Sequence, residues 1–102
     1  MTRLFSVYGD SISSFEGILP QGWRVFFEGE QLELTGVKTP HDTWWGQVID
    51  HFDGQFLANA SWSGCVVEGR DFPVGASAER IEHLQADGRT PDDIRVHIGI
   101  ND

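Results

Sequence analysis

The sequence predicts an α/β domain built on a parallel sheet, and three observations carry that prediction. Apolar runs at Leu4–Tyr8, Phe56–Ala60 and Ile94–Ile98 read as strands. Segments with helical periodicity separate them. A short polar motif follows each run: Gly9-Asp10-Ser11, Ser61-Trp62-Ser63-Gly64 and Gly99-Ile100-Asn101-Asp102. Strands alternating with helices imply crossover connections and parallel pairing. All three motifs would then emerge on one sheet edge, beyond the carboxyl ends of the strands, where open α/β sheets bind ligands.

The first run, Arg3 to Tyr8, has little polar interruption, the pattern of a strand covered on both faces. The stretch Ser13–Pro40 is less regular. Trp23–Phe27 and Gln31–Thr35 flank Glu28-Gly29-Glu30, which reads as a small hairpin around a glycine turn or as an irregular excursion. Asp42 is the expected N-cap of the first helix, with Trp45, Val48, Ile49 and Phe52 on one face. Asp53-Gly54 is its expected stop, glycine being free to go left-handed. Gln55–Ala60 is the second strand. Ser77 is expected to cap a second helix with Ala78, Ile81 and Leu84 inward, closed by Asp87-Gly88. Thr90-Pro91-Asp92 is a turn, and Asp93–Ile98 the third strand.

With 102 residues the chain has room for one domain. Sixteen acidic residues against seven basic leave a formal net charge of −9, which argues against nucleic acid and against an anionic membrane surface. The apolar runs are too short to span a bilayer. No secretion signal is visible, so the expected location is the cytoplasm, with secretion of a longer form left open. The single cysteine, Cys65, rules out an internal disulfide and a multi-cysteine zinc site.

Ser11 is the candidate nucleophile, with Gly9 permitting a tight turn and Asp10 bracing it by accepting backbone N–H bonds. Gly64 could offer an unobstructed N–H, and Asn101 a side-chain amide, to a developing oxyanion. In this order and placement, the blocks Gly9-Asp10-Ser11, Asn59-Ala60-Ser61-Trp62-Ser63-Gly64 and Gly99-Ile100-Asn101-Asp102 resemble the SGNH (GDSL-type) hydrolases, a family of esterases and lipases. The stretch Asp42–Ile49 also resembles a bacterial subgroup of that family.

The resemblance implies a flavodoxin-like three-layer α/β/α sandwich of five strands in order 2-1-3-4-5, of which this chain would hold 2-1-3. It implies ester hydrolysis through an acyl-enzyme, with no metal or organic cofactor. Ser11 would be the nucleophile. The N–H groups of Ser11 and Gly64, with the Asn101 side chain, would form the oxyanion hole.

The family's general base is a histidine in an Asp-x-x-His block. Lys38, Val48, Arg80 and Ile94 stand three residues before His41, His51, His83 and His97, so that block is missing. His51 and His83 are expected at exposed helix ends, and His97 in a packing role. His41 is expected away from Ser11, on the view that helices begin near the amino ends of the strands. The expectation is therefore a single domain over residues 1–102, C-terminally incomplete and with little turnover. Its third strand would be an open apolar edge inviting self-association. The other reading is a non-catalytic binding module, with tryptophans stacking on sugars or the acidic surface docking a basic partner. Trp23, Phe26 and Phe27 could cover the acyl site or form a satellite cluster, and Trp62 could line the pocket. A nucleotide-binding flavodoxin fits poorly, because the loop after the first strand lacks a glycine-rich phosphate cradle.

Overall fold

The computed structural model describes residues 2–67 and 78–98. Three parallel strands, β1 (Leu4–Gly9), β2 (Gln55–Asn59) and β3 (Asp93–His97), form one sheet in the order β2-β1-β3. Among the described residues three α-helices accompany them: α1 (Glu30–Thr35), α2 (Trp44–His51) and α3 (Ala78–Glu82). The β1–β3 register runs unbroken from Phe5↔Asp93 to Gly9↔His97. The β1–β2 register slips between Phe5↔Phe56 and Ser6↔Ala58, placing one extra residue in β2.

Successive side chains of β1 point to opposite faces of the sheet. Phe5 and Val7 join Phe15, Phe27, Trp45 and Ile49 in the larger core cluster. Ser6 and Tyr8 face the other way: the Ser6 hydroxyl donates to the Leu84 carbonyl at 2.5 Å, and Tyr8 packs with Ala60, Leu84 and Trp23. Both faces of the central strand are therefore covered, as its apolar run predicts.

Several expectations are corrected. The proposed hairpin is absent, and its second arm is helical, as α1. Leu32 and Leu34 mimic the period of a strand, but Glu, Gln and Leu are good helix formers and Glu30 and Glu33 sit in the favoured first turn. Gly29 (φ 53°) opens the helix and Gly36 (φ 80°) closes it in the left-handed conformation. The cap of α2 is Thr43, whose hydroxyl accepts from Gly46 N–H at 3.0 Å. Asp42 instead accepts from the N–H groups of Lys38 and Thr39, closing the preceding 3-10 turn (Pro40–Asp42). Those two bonds hold its carboxyl below the usual range.

At the other end of α2, Asp53 takes the left-handed conformation (φ 51°) rather than Gly54. Gly54 is needed for a different reason: a Cβ there would lie 2.4 Å from a Phe5 ring carbon. Phe52, expected inward, is 54% exposed and stacks on Phe5 at 6.3 Å.

In α3 the inward residue is Arg80, while Ala78 and Ile81 are exposed. The helix ends at Glu82, before the Asp87-Gly88 turn. Those two residues, both at positive φ, instead close a two-residue turn bridged by Ala86 and Arg89. Ser77 lies outside the described residues. Asp92 closes the sheet at the opposite end, its carboxylate and N–H bonding the N–H and carbonyl of Leu4, both at 2.8 Å.

The direction of α2 is the reverse of that expected. Trp44 and Trp45, in its first turn, bond Ser13 just past the carboxyl end of β1, whereas Gly54, beyond its last turn, packs on Phe5. A crossover helix must start where the first strand ends, so α2 starts beside Ser11. Among the described residues no helix is long and apolar enough to cross a membrane.

Candidate active site

Ser11 opens a 3-10 turn, Ser11–Ser13, directly after β1 and is half-buried. Asp10 precedes it, fully buried, and its Oδ1 accepts from the Ile12 N–H at 3.3 Å. Among the described residues, the other carboxylate oxygen of Asp10 and the hydroxyl of Ser61 are buried without a hydrogen-bond partner. Gly9 is required by close approach: a Cβ would lie 2.3 Å from the Ser13 hydroxyl oxygen and 2.6 Å from the His97 carbonyl oxygen.

The turn is anchored through Ser13, itself fully buried. Its carbonyl accepts from Trp45 Nε1 at 2.9 Å and Asn59 Nδ2 at 2.8 Å, and its hydroxyl from Trp44 Nε1 at 2.9 Å. The Asn59 side-chain oxygen also accepts from Ser61 N–H at 3.0 Å. One buried amide thus links the Ser11 turn to the segment leaving β2.

That segment runs beside β1. Trp62 N–H donates to the Gly9 carbonyl at 3.1 Å, and Cys65 N–H to the Trp62 carbonyl at 3.2 Å. The second bond closes a four-residue turn with Gly64 in its third position at φ 87°, which favours glycine. Gly64 is exposed, on the same sheet edge as Ser11. Among the described residues nothing accepts a hydrogen bond from the N–H of Ser11 or of Gly64. Asn101 lies outside the described residues.

Beneath the edge, burial pushes the Tyr8 hydroxyl above its ordinary pKa, with the nearby Arg80 guanidinium partly opposing. Arg80 is fully buried, 4.4 Å over the Tyr8 ring, and donates to the carbonyls of Gly9 and Ala60. Cys65, also buried, directs its thiol to the same Gly9 carbonyl at 3.4 Å.

All four histidines are exposed. His41 pairs with Asp50 at 2.9 Å along α2, His83 packs on Trp23, His51 on Phe52, and His97 lies 5.7 Å from Trp44. The aromatic cover divides. Phe27 enters the main core, Trp23 packs on the second cluster, and Phe26 stays exposed. Trp62 is half-buried, 5.9 Å from Trp23. Two cavities of about 310 Å³ flank β2, one between it and α2, the other toward His83; Ser11 lines neither. Among the described residues no group of His, Cys, Asp or Glu could hold a metal ion.

Sequence reasoning passed over Arg80 and gave Asn59 no role. Asn59 had a signal: an amide inside an apolar strand needs buried partners. Arg80, flanked by Glu79, Ile81 and Glu82, reads as a solvated helix residue and carried none.

A parallel sheet in order 2-1-3, with a serine turn at the end of its central strand, is a flavodoxin-like α/β arrangement. Residues 3–102 match the sequence model of the GDSL-like lipase/acylhydrolase family, and the chain belongs to that family. Its fold also matches a crystal structure from Bacteroides ovatus ATCC 8483, itself described provisionally as a GDSL-like lipase. The TM-score is 0.78 at 25% identity, over 100% of this chain and 50% of that one. The chain therefore spans half the length of that neighbour. No curated protein matches the sequence significantly.

Proposed function

We propose that this chain carries the nucleophile and part of the oxyanion hole of a serine ester hydrolase. The observation that carries the reading is the Ser11 turn at the carboxyl end of the central strand, tied directly to the segment that presents Gly64. Ser11 Oγ attacks the acyl carbonyl, and the displaced alcohol leaves an acyl-enzyme that water then hydrolyses. The N–H groups of Ser11 and Gly64 and the Asn101 side chain receive the oxyanion; each such donor is worth roughly 2.7–4 kcal/mol at the transition state. No metal or organic cofactor enters this scheme.

Serine needs a base to be a good nucleophile. The general base is proposed to lie outside these 102 residues, as the missing Asp-x-x-His spacing and the half-length match support. The β3 edge, where Ile94 and Val96 are 46% and 58% exposed, is where a further strand would add.

The test is hydrolysis of a short-chain aryl ester together with labelling by a fluorophosphonate ester. The expected outcome is little ester turnover and slow labelling that maps to Ser11 and disappears in Ser11→Ala. Labelling at another residue, or none, overturns the nucleophile. Rapid turnover lost in Ser11→Ala would show that a histidine of this chain serves as base.

A further inference from the structure

We propose that Arg80 is a positioning residue for the candidate site. Its buried guanidinium ties the Gly9 carbonyl ahead of Ser11 to the Ala60 carbonyl ahead of the Ser61–Gly64 segment. The catalytic meaning of that role rests on the acyl-transfer reading above.

The geometry is specific. Arg80 Nη2 lies 2.8 Å from both carbonyl oxygens, and Nε lies 3.1 Å from that of Ala60. The Gly9 carbonyl also accepts from Trp62 N–H and from the Cys65 thiol, so three groups converge on the last peptide of β1. That peptide leads into Asp10 and Ser11, and its direction sets where the serine turn begins. Asn59 ties the same two segments separately, through Ser13 and Ser61. The relative placement of Ser11 and Gly64 is thus held at two points: an amide from β2 and a guanidinium from α3.

A guanidinium is a costly way to fill this space. Burying a charge is expensive, and an apolar side chain of similar volume would often be neutral or better for stability. What an apolar side chain cannot do is donate to two carbonyls at once. Lysine keeps the charge but lacks the planar fork. The Tyr8 ring 4.4 Å beneath the guanidinium offers it an electron-rich face. The side chain therefore suits a demand for position more than a demand for stability.

The test uses the full chain, labelled with ¹³C and ¹⁵N, and the variants Arg80→Lys and Arg80→Met. In the wild type, the Arg80 Nε–H should exchange slowly with water and show scalar coupling to the Ala60 carbonyl carbon. In Arg80→Lys the fold should persist by circular dichroism. The amide signals of Trp62 and Gly64 should shift while those of Trp45 and Ile49 in α2 stay in place. Fluorophosphonate labelling of Ser11 should slow by about 10²-fold, as a misplaced reacting group does.

An Arg80 Nε–H that exchanges as fast as an exposed arginine overturns the proposal. So does an Arg80→Lys protein with unmoved Trp62 and Gly64 amides and wild-type labelling. If neither variant folds, the wild-type exchange and coupling decide alone. Moved amides in a protein whose wild type never labels at Ser11 would sink the acyl-transfer reading and leave the positioning role standing.

Discussion

The amino-terminal and carboxyl-terminal halves of the same sheet are held together by different forces. At the amino end, Phe5 is fully buried, stacks on Phe52, presses against Gly54 and joins Trp45 and Ile49 in the main core. At the carboxyl end the polar groups Asp10, Ser13, Ser14, Ser61 and Arg80 are fully buried beside the apolar Ala60, with Asn59 nearly so. Apolar packing is non-directional and rewards area removed from water. Hydrogen bonds reward angle and distance, and they penalise any partner left unpaired. The amino half rests mainly on apolar area, while the carboxyl half adds directional hydrogen bonds around the Ser11 turn and the segment that carries Gly64.

That contrast yields expectations of graded size. The largest effect on stability belongs to the amino end. Phe5→Ala should cost about 3–5 kcal/mol in urea unfolding, the usual range for a buried phenylalanine. The fraction that stays folded should label at Ser11 at the wild-type rate. A large loss of labelling per folded molecule would break the contrast.

Asn59→Ala should show the opposite balance. It strands the Ser61 N–H and takes one of two donors from the Ser13 carbonyl, a loss of about 1–3 kcal/mol. Its Ser11 labelling should nevertheless fall further than in Phe5→Ala. Equal labelling in the two variants would mean that the carboxyl-edge network holds nothing in place.

The smallest effect is a pH dependence. Burial raises the Tyr8 pKa, with the Arg80 guanidinium only partly opposing. As pH climbs above about 10, the unfolded chain ionises this tyrosine before the folded one does. The folded state then binds more protons, so stability should fall as pH rises there. Absorbance at the tyrosinate band should show Tyr8 titrating above the ordinary tyrosine range in the folded protein. A titration at or below that range would show that the Arg80 charge outweighs burial.

The strands were legible because each is a local pattern. An apolar run bounded by turn residues declares itself within six residues, and Leu4–Gly9 needed nothing more. The helical face of Trp45 and Ile49 was legible for the same reason. The segment around Gly29 misled because its leucines alternate at a strand's spacing, which masked the helix-forming residues and flanking glycines; Leu32 packs against the core. The helix start at Thr43 was missed by one residue, because Asp42 is an equally good cap and the backbone at Lys38 and Thr39 had already claimed it.

The amino-acid sequence alone determined that three strands alternate with helices, that Ser11, Gly64 and Asn101 each follow a strand, and that no aspartate stands three residues before a histidine. These are facts of order and spacing, and local propensity turns them into elements. Only the tertiary structure decided that α2 begins beside Ser11, that Asn59 reaches across to Ser13, and that Arg80 turns inward to meet Gly9 and Ala60. Those contacts join residues 31, 46 and 71 positions apart. Charge on a side chain predicts exposure until two distant carbonyls, facing the same way, give it a reason to be buried.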